Sequence, residues 1–287
     1  MRFFKVVLLA FLAGQLSGCD GNVAPSSIFS DHGLQGVIYG SNSIQEVPVG
    51  HPNADSSVML VLTEKFQDYK EKNATYLVSE VYGLEGFSWS SQPSLGFCSG
   101  ILVAEDMVLT AGHCVAQADI CSKMQVVANY DTSRLVTAMV SVSCKEVYKV
   151  KNDIGGQGLD YALLKLEKSM GFQPLKIAQT ASVVNEKIYT LGYPLGSFKK
   201  KARGKVRQIV EGKGTYVASL DAFEGNSGSP VFSEKTHELI GVVSGGEGDF
   251  VTDAKEGSVL RVKRCRNTGC TGEFITPIQK ILADLEK

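Results

Sequence analysis

Three short motifs carry the residues whose types and spacing could do chemistry. They are Thr110-Ala111-Gly112-His113-Cys114, Asp160-Tyr161-Ala162-Leu163-Leu164-Lys165-Leu166 and Gly225-Asn226-Ser227-Gly228-Ser229-Pro230. A serine hydroxyl is a poor nucleophile until a base takes its proton, and an imidazole base needs a carboxylate to fix its tautomer. The motifs therefore predict acyl transfer, with Ser227 as the nucleophile, His113 as the base and Asp160 as the orienting group.

Each motif taken singly also has a structural explanation, and their combination favours the chemical one. A carboxylate directly before a buried apolar run, as at Asp160, costs free energy unless a cation or hydrogen-bond donor meets it. The glycines around Ser227 permit a sharp turn that points successive N–H groups into one concavity, where an oxyanion can bind. A catalytic imidazole at His113 would pair with the Asp160 carboxylate and accept the proton of the Ser227 hydroxyl.

The order of the three residues along the chain separates the known hydrolytic arrangements. The order His113, Asp160, Ser227 is that of chymotrypsin. An α/β-hydrolase needs a histidine after the serine, for which only His237 is available, and the subtilisin order needs a motif aspartate before His113. From about residue 37 to 287 the chain resembles the trypsin/chymotrypsin superfamily of serine proteases, and within it the bacterial branch that includes glutamyl endopeptidases.

This resemblance implies an all-β fold of two six-stranded antiparallel β-barrels with the active site in the cleft between them. It also implies that the N–H groups of Gly225 and Ser227 form the oxyanion hole, and that a disulfide joins Cys98 to Cys114 and pins the histidine loop. The chain departs from the animal digestive enzymes at Asn226, where they carry an aspartate that binds the newly cut N-terminus. That activation switch is therefore not expected here.

The substrate pocket is predicted from the same resemblance. Asp221 stands six residues before Ser227, where trypsin places its pocket carboxylate, which predicts cleavage after arginine or lysine; a purely local bonding role for Asp221 remains the alternative. The opposite wall is predicted to be Val243, Ser244, Gly245 and Gly246. Glutamyl enzymes have a histidine where Val243 aligns, which argues against glutamate specificity. Asp249 is a further candidate to approach the pocket, in a loop whose register against trypsin is not fixed.

The N-terminus predicts export. A short basic region and an apolar run end in Leu16-Ser17-Gly18-Cys19, which resembles the lipobox of bacterial lipoproteins. We therefore expect a signal peptide over 1–18 and a lipid on Cys19 that anchors the protein in the bacterial envelope; a plain secretory signal is the alternative. Residues 19–36 read as a tether or pro-segment. Cleavage near Gly36 would release the protease.

The cysteine count agrees with an oxidising compartment. Of seven cysteines, removal of Cys19 leaves an even set of six. Spacing alone leaves fifteen connectivities open. Besides Cys98 with Cys114, we expect Cys121 to pair with Cys144 and Cys265 with Cys270.

The elements that must position these residues read as β-strands. Short apolar runs recur between turn residues in two comparable series, which we assign to an N-terminal barrel over 37–172, with His113 and Asp160, and a C-terminal barrel over 173–287, with Ser227. An amphipathic helix closes the chain, with Thr276 as cap, Pro277 at the first position and Gln279 completing a capping box. The lysine-rich run 199–205 reads as a solvated loop.

The composition limits the classes of binding partner and cofactor that we expect. With 29 basic and 30 acidic residues there is no electrostatic reason to expect nucleic acid, and no metal-binding motif or cofactor is predicted. We expect a monomer that acts on a peptide or protein substrate. Two alternatives stay open: a catalytically silent protease fold that binds peptides, and a structural or adhesive envelope lipoprotein.

Overall fold

β-strands form most of the regular structure. The computed structural model describes residues 37–73, 75–84, 88–132, 138–152, 158–171, 175–252 and 260–287. The predicted signal peptide, the 19–36 segment, Cys19 and Gly36 lie outside these residues. None of the described helices is long and apolar enough to cross a membrane.

The first barrel is preceded by two short strands, β1 Ile38–Tyr39 and β2 Gln45–Glu46. Its own strands are β3 Ser57–Leu62, β4 Cys98–Ala104, β5 Met107–Thr110, β6 Met124–Ala128, β7 Val140–Asn152 and β8 Asp160–Leu166. They close in the order β3-β4-β5-β8-β7-β6, and every pair is antiparallel. Helices α1 Thr63–Lys72 and α2 Val78–Tyr82 lie in the connection between β3 and β4.

The second barrel contains six strands that also close on themselves. The remaining strands of the chain are β9 Lys187–Gly192, β10 Lys200–Ile209, β11 Tyr216–Leu220, β12 Pro230–Ser233, β13 Leu239–Gly245, β14 Phe250–Thr252, β15 Leu260–Val262, β16 Arg264–Cys265 and β17 Glu273–Pro277. The barrel order is β11-β17-β13-β12-β9-β10, and β10 pairs with β11 to close the barrel. Strand β2 pairs with the first two residues of β10, Lys200 and Lys201. Strands β14 and β15 form a separate hairpin, and β1 runs parallel to β16.

Alternating side chains give each barrel its own apolar interior, and a third apolar cluster joins the two barrels. Val58 and Leu164 belong to the first interior, and Ile188 and Ile275 to the second. Leu109 packs with residues of the second barrel and of helix α3 Ile278–Leu285 in the joining cluster. The predicted architecture, two six-stranded antiparallel barrels with a C-terminal helix, is confirmed.

The prediction of a solvated loop at 199–205 is wrong. These residues lie in or next to β10, and Lys199, Lys200 and Lys201 are 1%, 3% and 7% exposed. The Lys200 Nζ lies 3.0 Å from the Glu46 carboxylate and 5.6 Å from the centre of the Trp89 ring. Partners remote in sequence therefore bury a charge run that would be solvated in isolation.

The predicted capping box of the terminal helix is also wrong. Pro277, not Thr276, occupies the cap position of α3, and no side chain caps the helix there. The Thr276 hydroxyl instead donates to the Asp160 carbonyl oxygen at 3.1 Å, and the Gln279 amide donates to the Ala178 and Thr180 carbonyls. The Thr276 and Gln279 side chains thus bond to residues remote in sequence, and neither caps the helix.

Candidate active site

The histidine loop leaves the first barrel at the end of β5. A single 3-10 turn, Gly112–Val115, carries His113, and the Cys98–Cys114 disulfide ties this turn back to β4. Gly112 has no room for a side chain, because a Cβ would overlap the Lys151 carbonyl oxygen and lie 2.8 Å from Asp160 Oδ1. The glycine therefore lets the carboxylate approach the histidine backbone.

Asp160 holds the histidine with both of its carboxylate oxygens. The His113 backbone N–H donates to Oδ1 at 2.9 Å, and the ring nitrogen Nδ1 lies 2.7 Å from Oδ2. The Asp160 side chain is 2% exposed and that of His113 is 19% exposed. Because Nδ1 faces the carboxylate, the neutral ring carries its proton there and has its lone pair on Nε2.

The backbone of the predicted nucleophile lies against the histidine loop. The Ser99 N–H donates to the Ser227 carbonyl oxygen at 2.8 Å, and Cys114 Sγ lies 3.7 Å from the same oxygen. Gly228 follows with φ +80°, and a Cβ there would overlap Thr110 Oγ1 and the Ser99 carbonyl. The glycine after the serine is thus required for the close approach of this turn to β4 and β5.

The peptide groups on either side of Gly225 are fixed by hydrogen bonds. The Glu224 carbonyl accepts from the Leu195 N–H at 2.5 Å, and the Gly225 carbonyl accepts from Ser99 Oγ at 2.7 Å. Gly225 itself has φ +88°. Neither Gly225 nor Ser227 donates its N–H to another described residue. Both donors are therefore available for an oxyanion.

Asp221 is engaged away from a ligand. Its Oδ1 accepts from the Tyr39 N–H at 2.7 Å, and its Oδ2 accepts from the Ser43 N–H and hydroxyl at 2.7 and 2.6 Å. Burial raises the pKa of this carboxyl, and the bonds from Ser43 and Tyr39 oppose that rise. Asp221 thus has a bonding role, as in the alternative to the pocket prediction, but its partners lie 182 and 178 residues away in the chain and are not local.

The opposite predicted wall lies beside the nucleophile. Val243 N–H donates to the Ser229 carbonyl at 2.9 Å, and Gly228 N–H donates to the Val243 carbonyl at 2.8 Å. Val243 and Ser244 are buried, and β13 ends at Gly245. The segment from Val243 to Gly246 therefore runs alongside the Ser227 turn.

Sequence reasoning missed one buried carboxyl at this wall, Glu273, which is 1% exposed. A Cβ built on Gly246 would overlap the Glu273 carboxylate. Glu273 comes late in the chain, and only the pairing of β17 with β13 brings it to the wall. A glutamate at the start of β17, directly before the apolar pair Phe274 and Ile275, was the available signal.

The disulfides join Cys98 to Cys114, Cys121 to Cys144 and Cys265 to Cys270, the pairs expected from the sequence. Within the described residues, Cys98, His113 and Cys114 are close enough together to suggest a metal site. Both of these sulfurs belong to the disulfide, so they cannot act as thiolate ligands.

Comparison with protein families and curated proteins gives a consistent set of relatives. The profile of the family described as "trypsin-like peptidase domain" matches residues 98–242. Trypsin 5G1 of Aedes aegypti is 28% identical over 191 residues, which cover 56% of this chain and 70% of that protein. A trypsin-like protease of Streptomyces glaucescens is 34% identical over 123 residues, which span 43% of this chain and 40% of that protein.

Among solved structures, a Glu endopeptidase in complex with MPD shares the fold. The two superpose with a TM-score of 0.54 over 87% of this chain and 98% of the other, at 19% sequence identity. At that identity the likeness concerns the arrangement of the barrels and not the substrate.

Proposed function

The chain belongs to the trypsin-like peptidase domain family, and from this premise we propose that it is an exported serine endopeptidase that hydrolyses peptide bonds with Ser227, His113 and Asp160. The observation that carries the proposal is the two-point contact between Asp160 and His113 beside the Ser227 turn. An imidazole held in this way can act as a general base towards the cleft.

The proposed reaction follows from the positions of these groups. Ser227 Oγ attacks the carbonyl carbon of the substrate while His113 Nε2 accepts the hydroxyl proton, and the resulting imidazolium is stabilised by Asp160. The Gly225 and Ser227 N–H groups receive the oxyanion. His113 then gives its proton to the leaving amine as the C–N bond breaks. A water molecule, activated by the same histidine, hydrolyses the acyl-enzyme.

A covalent fluorophosphonate probe tests the nucleophile in the full-length protein. We expect labelling of the wild type and of Ser122→Ala, a control at an exposed serine, and no labelling of Ser227→Ala. Hydrolysis of a fluorogenic peptide panel should follow the same pattern. A wild type that neither labels nor hydrolyses, either as the full chain or as a form that begins at Val37, would favour a silent binding protein or a structural lipoprotein.

Export and lipid attachment are part of the proposal. Three disulfides occupy Cys98, Cys114, Cys121, Cys144, Cys265 and Cys270, so Cys19 is the cysteine left over for acylation. When the protein is expressed in bacteria fed an alkyne fatty acid, the wild type should carry the label and sediment with membranes. Cys19→Ala should lose both properties. An unlabelled wild type would leave a plain secretory signal, and an N-terminus at Val37 would reveal a released form.

A further inference from the structure

The cleft beside Ser227 has two walls, and each has a buried carboxyl behind it that the proposed reaction does not use. One wall is the segment 221–226 that leads into Ser227, and the other is the segment 243–246. Asp249 contacts the first wall and Glu273 contacts the second. Asp221, the carboxyl expected to receive the substrate, has both oxygens bonded to Tyr39 and Ser43.

Asp249 is completely buried and only half satisfied. Its Oδ2 accepts from the Glu224 N–H at 2.9 Å, next to the glycine of the oxyanion hole, whereas its Oδ1 has no hydrogen-bond partner. A buried carboxylate oxygen without a hydrogen bond costs free energy, so a donor that reached Oδ1 would be stabilised there.

Glu273 is nearly as buried and is weakly held. Its Oε1 has two long contacts, at 3.5 Å each, from the Tyr39 hydroxyl and the Glu247 N–H. The carboxylate lies against Gly246, in the space that a side chain at that position would fill. Because Gly246 has no side chain, the Glu273 carboxylate can lie directly against the backbone of this wall.

The two carboxyls have no cation among the described residues. Glu247, the third acid nearby, pairs with Lys263 at 2.5 Å, and no described lysine or arginine forms an ion pair with Asp249 or Glu273. Burial, followed by their mutual repulsion, raises the pKa of Glu273 well above its usual range. A cation supplied from outside would supply the missing donor and relieve this repulsion.

We propose that Glu273, with Asp249 beside it, and not Asp221, receives the cationic side chain of the lysine or arginine that precedes the cleaved bond. The assignment rests on the proposed function, since it takes Ser227 as the position of the bond. In this assignment, the residue that recognises the charge of the substrate lies in strand β17 of the second barrel and not in the loop that carries Ser227.

Binding of a small cation tests the assignment without catalysis. Calorimetric titration of full-length Ser227→Ala in detergent should show binding of benzamidine and none of benzamide, its neutral counterpart. Adding Glu273→Gln should weaken benzamidine at least about 10-fold, and Asp249→Asn should weaken it as well. Two control variants should leave it unchanged: Glu234→Gln, the same charge change at a half-buried residue paired with Arg203, and Ser43→Ala, which removes one of the hydrogen bonds to Asp221.

Two binding results would overturn the inference. One is benzamidine affinity that Glu273→Gln leaves unchanged in a folded protein. The other is loss of affinity in Asp221→Asn but not in Glu273→Gln. Thermal unfolding of each variant shows whether the comparison is made between folded proteins.

Hydrolysis separates this inference from the proposed function. With Ser227 intact, the ratio of kcat/KM for arginine or lysine over norleucine before the cut should fall roughly 100-fold in Glu273→Gln. Fluorophosphonate labelling should persist in that variant. Loss of labelling in the wild type with retained benzamidine binding would refute the protease proposal alone, whereas full labelling with no preference for basic residues would refute the pocket alone.

Discussion

At the scale of single residues, the site depends on how Asp160 meets His113. The carboxylate accepts from the backbone N–H and faces the ring nitrogen, so it fixes both the position and the tautomer of the imidazole. Another donor holds the Asp160 backbone in place, since the Thr276 hydroxyl, in strand β17 of the other barrel, donates to its carbonyl oxygen. The orientation of the base therefore depends on both halves of the chain.

Replacing Asp160 with asparagine should lower kcat/KM by about 10⁴-fold while leaving the fold intact. The amide keeps the shape of the carboxyl but cannot stabilise the imidazolium, and its NH₂ group favours the wrong tautomer. The measurement is kcat/KM on a cleaved peptide together with thermal unfolding. Asp106→Asn, which removes a carboxylate paired with Lys165 on the same barrel, is the matched control and should stay active. Retention of a tenth of the activity in Asp160→Asn would contradict the assigned role.

The sequence singles out candidate residues where they stand in a contiguous motif, and their catalytic roles stay a prediction. His113, Asp160 and Ser227 each stand in such a string, and so does Gly225. Glu273 stands in none, because its place beside Gly246 results from strand pairing between β13 and β17. Short-range patterns cannot supply a contact of this kind.

At the scale of elements, strand positions followed from the apolar alternation, but the environment of strand β10 did not. Its lysines look solvent-facing in the sequence because the chain around them is polar and glycine-containing. In the fold, Glu46 of β2 and the Gln92 and Trp89 side chains cover Lys200. Burial lowers the pKa of Lys200 to about 8, with Glu46 acting in the opposite direction.

The buried ammonium of Lys200 should make stability depend on pH. Because the folded pKa of about 8 lies below the unfolded value of 10.5, the unfolded chain binds more protons between these limits, and stability rises with pH. The free energy of unfolding of the wild type, measured relative to Lys200→Met, should therefore increase by about 2 kcal/mol from pH 8 to pH 10.

Denaturant titrations at pH 7, 8, 9 and 10 would measure this difference. Lys205→Met, an exposed lysine of the same strand, serves as the control, because its charge stays in water in both states. The difference in unfolding free energy between wild type and Lys200→Met should be constant well below pH 8, where Lys200 is protonated in both the folded and the unfolded chain. A difference that is flat up to pH 10 would show that the ammonium is not desolvated.

At the scale of the whole molecule, the two barrels meet through buried serines of the first barrel that bond to the backbone of the second. Ser57 Oγ donates to the Leu191 carbonyl at 2.8 Å. Ser99 Oγ donates to the Gly225 carbonyl at 2.7 Å and accepts from the Tyr193 N–H at 3.0 Å. The first serine bonds to strand β9, whereas the second bonds to Gly225 of the predicted oxyanion hole. Under the proposed function, one side chain therefore serves both barrel docking and transition-state binding.

This arrangement predicts that Ser99→Ala and Ser57→Ala will differ in activity although both lose stability. Ser57→Ala removes a side-chain hydrogen bond to one backbone group of the second barrel and Ser99→Ala removes bonds to two, and each substitution should cost about 1 to 3 kcal/mol of unfolding free energy. Ser99→Ala should also lower kcat by roughly 10- to 100-fold with little change in KM, because the peptide group after Gly225 loses its anchor and the glycine can then rotate, which disturbs the direction of its N–H. Ser57→Ala should keep its kcat. Steady-state kinetics well below the unfolding temperature would test this difference. Equal losses of kcat in the two variants would mean that any weakening of the contact between the barrels lowers kcat. Ser99 would then have no particular role in aligning the oxyanion hole.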